Sequence, residues 1–164
     1  MRTSDGTRRI QRWHALLLAG VLAIAATACG GEATETVTFA DRIQADIPAD
    51  MERQDLQGFD SAVGRWSNGE LELTYDIGRF SDPLGYGDRD EFRISLLTIS
   101  DRSATIEYFY DTEMDSARPW IAALHIPDLG NGDALTMYVH AADEDGQDAA
   151  LRIFRSLKVL DDAS

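Results

Sequence analysis

Three histidines occur in this sequence, and two of them, His125 and His140, lie in neighbouring predicted strands. An imidazole can transfer protons near neutral pH or bind zinc. If a two-residue turn at residues 131–132 joins the strands, both rings leave the same face as diagonal neighbours, with Cβ atoms roughly 7 Å apart. That spacing would suit a proton-transfer pair or a shared metal in a hydrolase-type enzyme. Zinc would need further ligands, and strand histidines without a catalytic role remain the alternative.

The same turn predicts a register for the hairpin. It pairs Gly130 with Asp133 and places large apolar residues together on one side, which is the arrangement that a half-buried strand pair requires. The predicted neighbours are Ile126 with Met137, Leu124 with Val139, His125 with Tyr138, and Ala123 with His140.

Asp143, Asp145 and Asp148 form a second candidate site for a divalent cation. The EF-hand order places glycine at position six of the loop, whereas Gly146 falls at position four here, so the segment does not match that motif. A looser hard-cation site remains open. Capping of a following helix explains the same carboxylates, because negative charge stabilises a helix N-terminus.

The segment Gly78–Asp90 is the longest irregular stretch and is rich in glycine and aspartate. A connection of this length is often functional. Aromatic and guanidinium groups are favoured at protein interfaces, which predicts a recognition surface for a protein partner. Alternatively, the aromatic rings pin the segment to the core while the arginines face water. The candidate partner-binding residues are Trp66, Arg79, Phe80, Tyr86 and Arg89.

No catalytic motif accompanies these residues. The sequence contains no G-x-S-x-G, no phosphate-binding glycine loop, no C-x-x-C and no H-E-x-x-H. We therefore expect a protein that is not an enzyme and that carries no cofactor.

Acidic residues outnumber basic ones throughout the chain, which has a formal net charge of −14. The first 28 residues hold four arginines and one aspartate, so the remainder has 11 basic and 28 acidic residues, a net charge of −17. Nucleic-acid binding depends on Lys and Arg neutralising phosphates, so this composition argues against a nucleic-acid partner.

The N-terminal segment 1–28 has the three parts of a secretory signal peptide: a basic start, an apolar run over 15–27 and small residues before the only cysteine, Cys29. The ending Ala26-Thr27-Ala28-Cys29 resembles the lipobox of bacterial lipoproteins, with Ala26 in place of the usual leucine. That resemblance implies lipidation of the Cys29 thiol and stable membrane anchoring by more than one acyl chain.

Two alternatives stay open for this segment. An ordinary signal peptide could be cut after Ala26 or Ala28, or the leader could remain as a membrane anchor, although its apolar run is shorter than the roughly 20 residues of a spanning helix. With lipidation, we expect the bacterial cell envelope. Gly30 lacks the aspartate that retains some lipoproteins in the inner membrane, so we favour the outer membrane, facing the periplasm.

The elements that must position these residues are mostly strands. Glu70–Ile77 alternates apolar and polar residues, as a half-buried strand does, and Asn68-Gly69 predicts a tight turn before it. Gln147–Ser156 predicts one helix with a core-facing stripe, and Met51–Gln57 predicts a helical turn or a loop. We expect a single α+β domain with an antiparallel sheet of about six or seven strands and a C-terminal helix packed on it. The expected division is 1–28 signal peptide, 29–36 lipidated tether, 37–160 domain and 161–164 polar tail.

The order of these elements resembles the PsbP-like fold group, which includes Ran-binding Mog-type proteins. The segments F-A-D-R-I-Q-A-D-I-P-A, L-E-L-T-Y-D-I-G-R-F-S-D and A-L-R-I-F-R-S-L-K-V carry the resemblance, which spans most of Val37–Leu160. It implies a sandwich built on a central antiparallel sheet. It implies no activity, because the members of the group share none.

Together these observations favour a non-catalytic envelope lipoprotein that binds a protein partner at the membrane surface. A lipoprotein that binds a small ligand or a divalent cation is the alternative. A hydrolase-type enzyme using His125 and His140 is the third hypothesis.

Overall fold

Two antiparallel sheets and one helix make up the fold in a computed structural model, which describes residues 32–160. Cys29, the leader and the tail 161–164 lie outside the described residues. The α+β fold with a C-terminal helix is confirmed. The elements are β1 (Thr34–Phe39), β2 (Ile43–Pro48), β3 (Glu52–Gln54), β4 (Ala62–Ser67), β5 (Leu71–Gly78), β6 (Asp90–Ile99), β7 (Arg102–Tyr110), β8 (Trp120–Ile126), β9 (Ala134–Ala141), α1 (Asp145–Ser156) and β10 (Lys158–Val159).

The larger sheet has seven strands in the order β3-β4-β5-β9-β8-β7-β6, and the smaller has three in the order β1-β2-β10. One face of the larger sheet, called the inner face here, packs against α1 and the smaller sheet. The alternation predicted for β5 is confirmed, because Leu71, Leu73, Tyr75 and Ile77 are all buried on this face.

Aromatic contacts join the two sheets. The ring of Phe39, on β1, lies 4.9 Å from the ring of Trp66 and 5.1 Å from that of Tyr75, measured between centroids. All three side chains are buried. The smaller sheet therefore closes the core over β4 and β5.

Helix α1 begins at Asp145, two residues before its predicted start. The predicted stripe is confirmed, since Ala150, Ile153 and Phe154 are buried with Leu157 just beyond the helix. Asp143 accepts a hydrogen bond at 3.1 Å from the backbone N–H of Gly146, which satisfies one donor of the first turn.

The register predicted for the β8–β9 hairpin is wrong by two residues. Leu124 lies opposite Met137, and His125 lies opposite Thr136. The connection is longer than a two-residue turn, because the Leu129 N–H donates to the Asp133 carbonyl at 2.8 Å across three consecutive residues of positive φ. A shift of two keeps every side chain on its predicted face, since side chains alternate with a period of two.

Two smaller differences concern the N-terminal part of the domain. Glu52–Gln54 pairs with β4 as a short edge strand, where a helical turn or a loop was predicted. Strand β1 begins at Thr34, inside the segment expected to be a tether. Among residues 32–160, no helix is long and apolar enough to cross a membrane.

Candidate functional site

The connection between β5 and β6 lies against the second face of the larger sheet, called the outer face. The Tyr86 ring stacks on the Phe109 ring with centroids 4.4 Å apart, and its hydroxyl lies 2.9 Å from the Tyr138 hydroxyl. The Tyr86 N–H also donates to Glu107 at 2.9 Å. Tyr86 therefore pins the connection to the sheet, which is the alternative to its predicted role in partner binding.

Two other predicted partner-binding residues, Trp66 and Arg89, also make structural contacts. Trp66 is only 6% exposed and belongs to the core. The Arg89 guanidinium lies 3.3 Å from the buried carboxylate of Asp111, which also accepts the Glu113 N–H at 2.8 Å. Arg89 thus holds the end of the β5–β6 connection. The structure corrects the prediction for Trp66, because its buried ring cannot form a recognition surface, whereas the Arg89 side chain keeps 38% exposure and its predicted role in partner binding stays a prediction.

The remaining predicted residues, Arg79 and Phe80, are exposed at the start of the same connection. The Phe80 side chain is 76% exposed, and Phe59, on the β3–β4 connection, is fully exposed beside it. Both phenylalanines line one groove with Arg79. We call Phe59, Arg79 and Phe80 the aromatic tip.

Phe59 was not among the predicted partner-binding residues, because the apolar residues that follow it favour a strand over residues 59–66. The strand begins only at Ala62. The flanking Gly58 and Asp60 are turn-forming residues, and they are the sequence signal that could have placed Phe59 in a loop.

Strand pairing brings the two loops of the aromatic tip together. Ala62 at the start of β4 lies opposite Ile77 near the end of β5. Beyond this pair, the backbones approach so closely that a Cβ added to Gly78 would lie 2.8 Å from the Cβ of Ser61. Glycine at position 78 therefore allows the tip loops to sit side by side. They flank a groove of about 720 Å³.

An ion pair between Arg42 and Asp133 also lines the groove. The Arg42 guanidinium donates to the Asp133 carboxylate and to the Leu129 carbonyl, each at 3.2 Å. These contacts tie the turn after β1 to the β8–β9 connection. The groove thus combines exposed aromatic rings with a fixed polar wall.

The two histidines do not share a site. On β9, Thr136 lies directly opposite His125, and His140 lies four residues further along, about 13 Å by the rise of a strand. Tyr138 stands between them on the same face. The predicted diagonal contact was therefore wrong, because it depended on the two-residue turn. The His125 Nδ1 lies 3.0 Å from the Thr136 hydroxyl, and burial lowers the pKa of the ring.

His140 lies in a cluster of charged residues on the outer face. Burial lowers its pKa, and the nearby carboxylates of Asp115 and Glu72 only partly oppose that effect. Its Nδ1 is 3.9 Å from the Asp115 carboxylate and makes no hydrogen bond within residues 32–160. Arg118 donates to Asp115 and to Glu72, each at 3.0 Å, and so fixes both carboxylates around the imidazole.

The three aspartates around the start of α1 are solvent-exposed. Asp143, which precedes the N-cap residue Glu144, accepts the Gly146 N–H, while Asp145 and Asp148 lie in the first turn, where they stabilise the positive end of the helix dipole. Across the described part of the chain, no three His, Asp or Glu side chains lie close enough to hold a metal ion.

Comparison with known proteins does not assign this chain to a family. No protein-family model matches the chain, and no curated protein is significantly similar to it. The geometry of the aromatic tip is therefore the basis for a functional proposal.

Proposed function

We propose that the protein is a non-catalytic lipoprotein of the bacterial envelope, anchored through an acylated Cys29, whose aromatic tip binds a protein partner. We also propose that its domain belongs with the PsbP-like fold group, because a central antiparallel sheet and a closing helix with a short strand are present. That assignment concerns the fold and adds no activity.

The exposure of two phenylalanine side chains on adjacent loops is the observation that carries the proposal. A buried phenylalanine contributes roughly 1.5–3 kcal/mol relative to an exposed one, so two rings left in water are a poor arrangement for an isolated domain. Aromatic residues with a neighbouring arginine are typical of protein-binding hot spots. The tip fits a partner with an apolar pocket and an acceptor for the Arg79 guanidinium.

The position of the tip favours a protein partner over the bilayer. The chain from Cys29 to Thr34 spans at most about 18 Å. Thr34 begins β1, while the turn after its last residue, Phe39, borders the groove of the tip. Glu32 lies near the start of β5, and the tip lies at its end, about 23 Å away by strand rise. An anchor at Cys29 therefore presents the tip away from the membrane.

Acidic side chains at the end of the domain nearest Cys29 are consistent with this orientation. Glu32, Glu70 and Asp143 border one hollow beside the start of β5. Negative side chains gain nothing from anionic lipid head groups. The end of the domain near Glu32 would therefore lie above the membrane surface and would not insert into it.

Site-specific photocrosslinking in intact cells tests partner binding. A photoreactive phenylalanine analogue at position 59 or 80 should give one adduct of discrete mass, because both side chains would contact the partner. The same analogue at Met114, which is 41% exposed on the β7–β8 connection, is the control. With the probe at position 80, Phe59→Ala should reduce the adduct at least about tenfold, the change expected from a hot-spot residue. Equal adducts from all three positions, or none, would exclude the tip as a binding site.

Mass spectrometry of the mature N-terminus tests the anchor separately. The proposal expects a diacylglyceryl thioether on Cys29 and an acylated amine. An unmodified Cys29 thiol would rule out the anchor and leave the crosslinking result unaffected.

A further inference from the structure

Strand β6 forms one border of the larger sheet and is exposed on both sides. It pairs with β7, and no other strand of residues 32–160 lies along its second edge. On the outer face, Ile94 is 61% exposed and Leu96 is 80% exposed. On the inner side, Arg93 and Ser95 are exposed as well. A long edge strand that carries aliphatic side chains in water is a template for pairing with another strand.

The turn at the end of β6 determines which backbone groups point outward. Ser100 and Asp101 both have positive φ, at 47° and 63°, and they join the pair Ile99–Arg102. In a two-residue hairpin of this type, the closing pair exchanges both hydrogen bonds, and hydrogen-bonded pairs then alternate along the ladder. The N–H and C=O groups of residues 94, 96 and 98 consequently face away from β7. These are the residues whose side chains lie on the outer face.

We propose that β6 pairs antiparallel with β6 of a second copy of this chain, which joins the two larger sheets into one continuous sheet. The ladder with β7 is regular from Arg93 to Ile99, and an irregularity interrupts it between Asp90 and Arg93. Leu96 is the midpoint of the regular segment. A two-fold axis through Leu96 pairs every regular residue with a regular residue of the other copy.

In this register, the side chains that face each other across the two copies are compatible. It places Leu96 opposite Leu96 of the second copy and Ile94 opposite Thr98, so the exposed aliphatic side chains cover one another on the outer face. Arg93 is the only charged residue between positions 93 and 99, and it faces Ile99. A two-fold axis at Arg93 would instead place two guanidinium groups opposite each other, which is destabilising.

Between Ile94 and Ile99 the edge has little of the usual protection against such pairing, which is confined to Arg93 and the irregularity before it. Its regular segment contains no proline and no lysine, the residues that commonly block edge strands. The segment is seven residues long, which exceeds the length of a typical strand. The aromatic tip follows β5 and precedes β4, four and five strand spacings from β6, or about 19–24 Å away, so a dimer through β6 leaves both tips accessible.

Sedimentation velocity of the mature full-length protein in detergent tests the dimer. We expect a monomer–dimer equilibrium that shifts toward dimer between about 0.1 and 0.5 M NaCl, because salt screens the repulsion between two acidic domains. Leu96→Asp should weaken self-association at least about tenfold, since it sets two carboxylates opposite each other. Phe80→Asp makes the same charge change at the tip and should leave self-association unchanged. A protein that stays monomeric at high salt, or equal effects of both substitutions, would overturn the proposal.

Disulfide trapping in isolated membranes tests the register. Leu96→Cys should oxidise to a covalent dimer, because Cα atoms facing each other across an antiparallel pair lie within the range that a disulfide allows. Met114→Cys is the control for random collisions, and the unsubstituted chain controls for Cys29. Oxidation of Met114→Cys as fast as Leu96→Cys, or no dimer from Leu96→Cys, would contradict a two-fold axis at this residue.

Discussion

Arg118 and His140 belong to a cluster of partly buried charged side chains on the outer face. Arg118 contacts Asp115, Glu72 and the Ser67 hydroxyl, and it joins the β7–β8 connection to β4 and β5. Burial alone would raise the pKa of Asp115, but hydrogen bonds from Arg118 and from the backbone N–H groups of residues 117 and 118 together lower it. The lowered pKa of Asp115 keeps its carboxylate charged at neutral pH, and the lowered pKa of His140 keeps the neighbouring imidazole neutral.

The lowered pKa of His140 predicts a stability that depends on pH. The folded protein binds the proton of this ring less tightly than the unfolded chain, whose histidine titrates near 6.5. The resulting stabilisation is fully present above pH 6.5 and is lost as the pH falls through the lower folded pKa. We expect the free energy of unfolding to decrease between about pH 7 and pH 5. His140→Gln should make this decrease smaller.

Urea denaturation at several pH values, followed by tryptophan fluorescence, measures the effect. The groups facing His140 are Asp115 and Glu72, which favour the proton, and Arg118 and Arg65, which oppose it. His125 has a pKa shifted in the same direction, so His125→Gln should retain the His140 contribution and the double variant should vary least with pH. A profile for His140→Gln identical to that of the unsubstituted protein would contradict this account.

At the level of single residues, the sequence predicts which side chains are exposed better than it predicts which side chains contact each other. Arg79 and Phe80 are exposed in a connection rich in glycine and aspartate, as the composition suggested. Tyr86 has the same local composition but finds Phe109 on a distant strand, and no local pattern encodes that stacking. The distance between His125 and His140 depended on the length of one turn, which propensities alone could not fix.

The β5–β6 connection is the element whose order depends most on a few contacts. Tyr86 stacks on Phe109, and Thr136 on β9 holds the first half of the connection by donating to the Asp82 carbonyl at 2.6 Å. The Ser81 hydroxyl is 2.8 Å from that of Thr136. The connection is thus attached to the sheet at two points, one for each half.

Removing the Tyr86 side chain should loosen the second half of the β5–β6 connection. Tyr86→Ala deletes the stacked ring and leaves the Tyr138 hydroxyl without its partner. Because the Tyr86 side chain is half-buried, we expect this to cost about 1–3 kcal/mol of unfolding free energy. Trypsin should then cleave after Arg89 faster than in the unsubstituted protein. Phe80→Ala removes an exposed ring and should leave the cleavage rate unchanged. Equal rates for Tyr86→Ala and the unsubstituted protein would show that Tyr86 does not hold the connection.

The strands and the helix were predictable where apolar residues recur at the regular spacing of a strand or a helix. The alternation in β5 and the stripe on α1 depend on burial of one face, so the pattern and the structure agree. Glu52–Gln54 has no such pattern, because all three residues of this edge strand are exposed. This segment is a strand only because it pairs with β4, and three polar residues give no sequence pattern from which that pairing could be predicted.

The acidity of the whole molecule predicts that salt stabilises it. With a net charge of −17 over residues 29–164, like charges repel across a domain that no disulfide within residues 32–160 restrains. Raising NaCl from about 0.05 to 0.5 M should increase the free energy of unfolding, because the Debye length falls below most surface separations. Urea denaturation at submicromolar protein measures this effect without changing ionic strength.

A charge-reduced variant provides the control for the salt effect. Glu35 and Glu52 are exposed on β1 and β3. Replacing both with glutamine should raise stability at low salt and reduce the gain from added NaCl. If salt stabilises this variant as much as the unsubstituted protein, screening of surface charge is not the cause.

The placement of Thr34 and the aromatic tip at opposite ends of the domain also has a mechanical consequence. If Cys29 is held in a membrane and a bound partner moves away, the tension enters at the start of β1 and leaves through the loops that follow β5 and precede β4. Strand β1 is then pulled along its own axis against β2, and all six residue pairs between them share the load at once. That shear geometry resists force better than unzipping, in which the pairs break one after another. Under such a load, the pairing of β1 with β2 would be the part of the fold that resists extension.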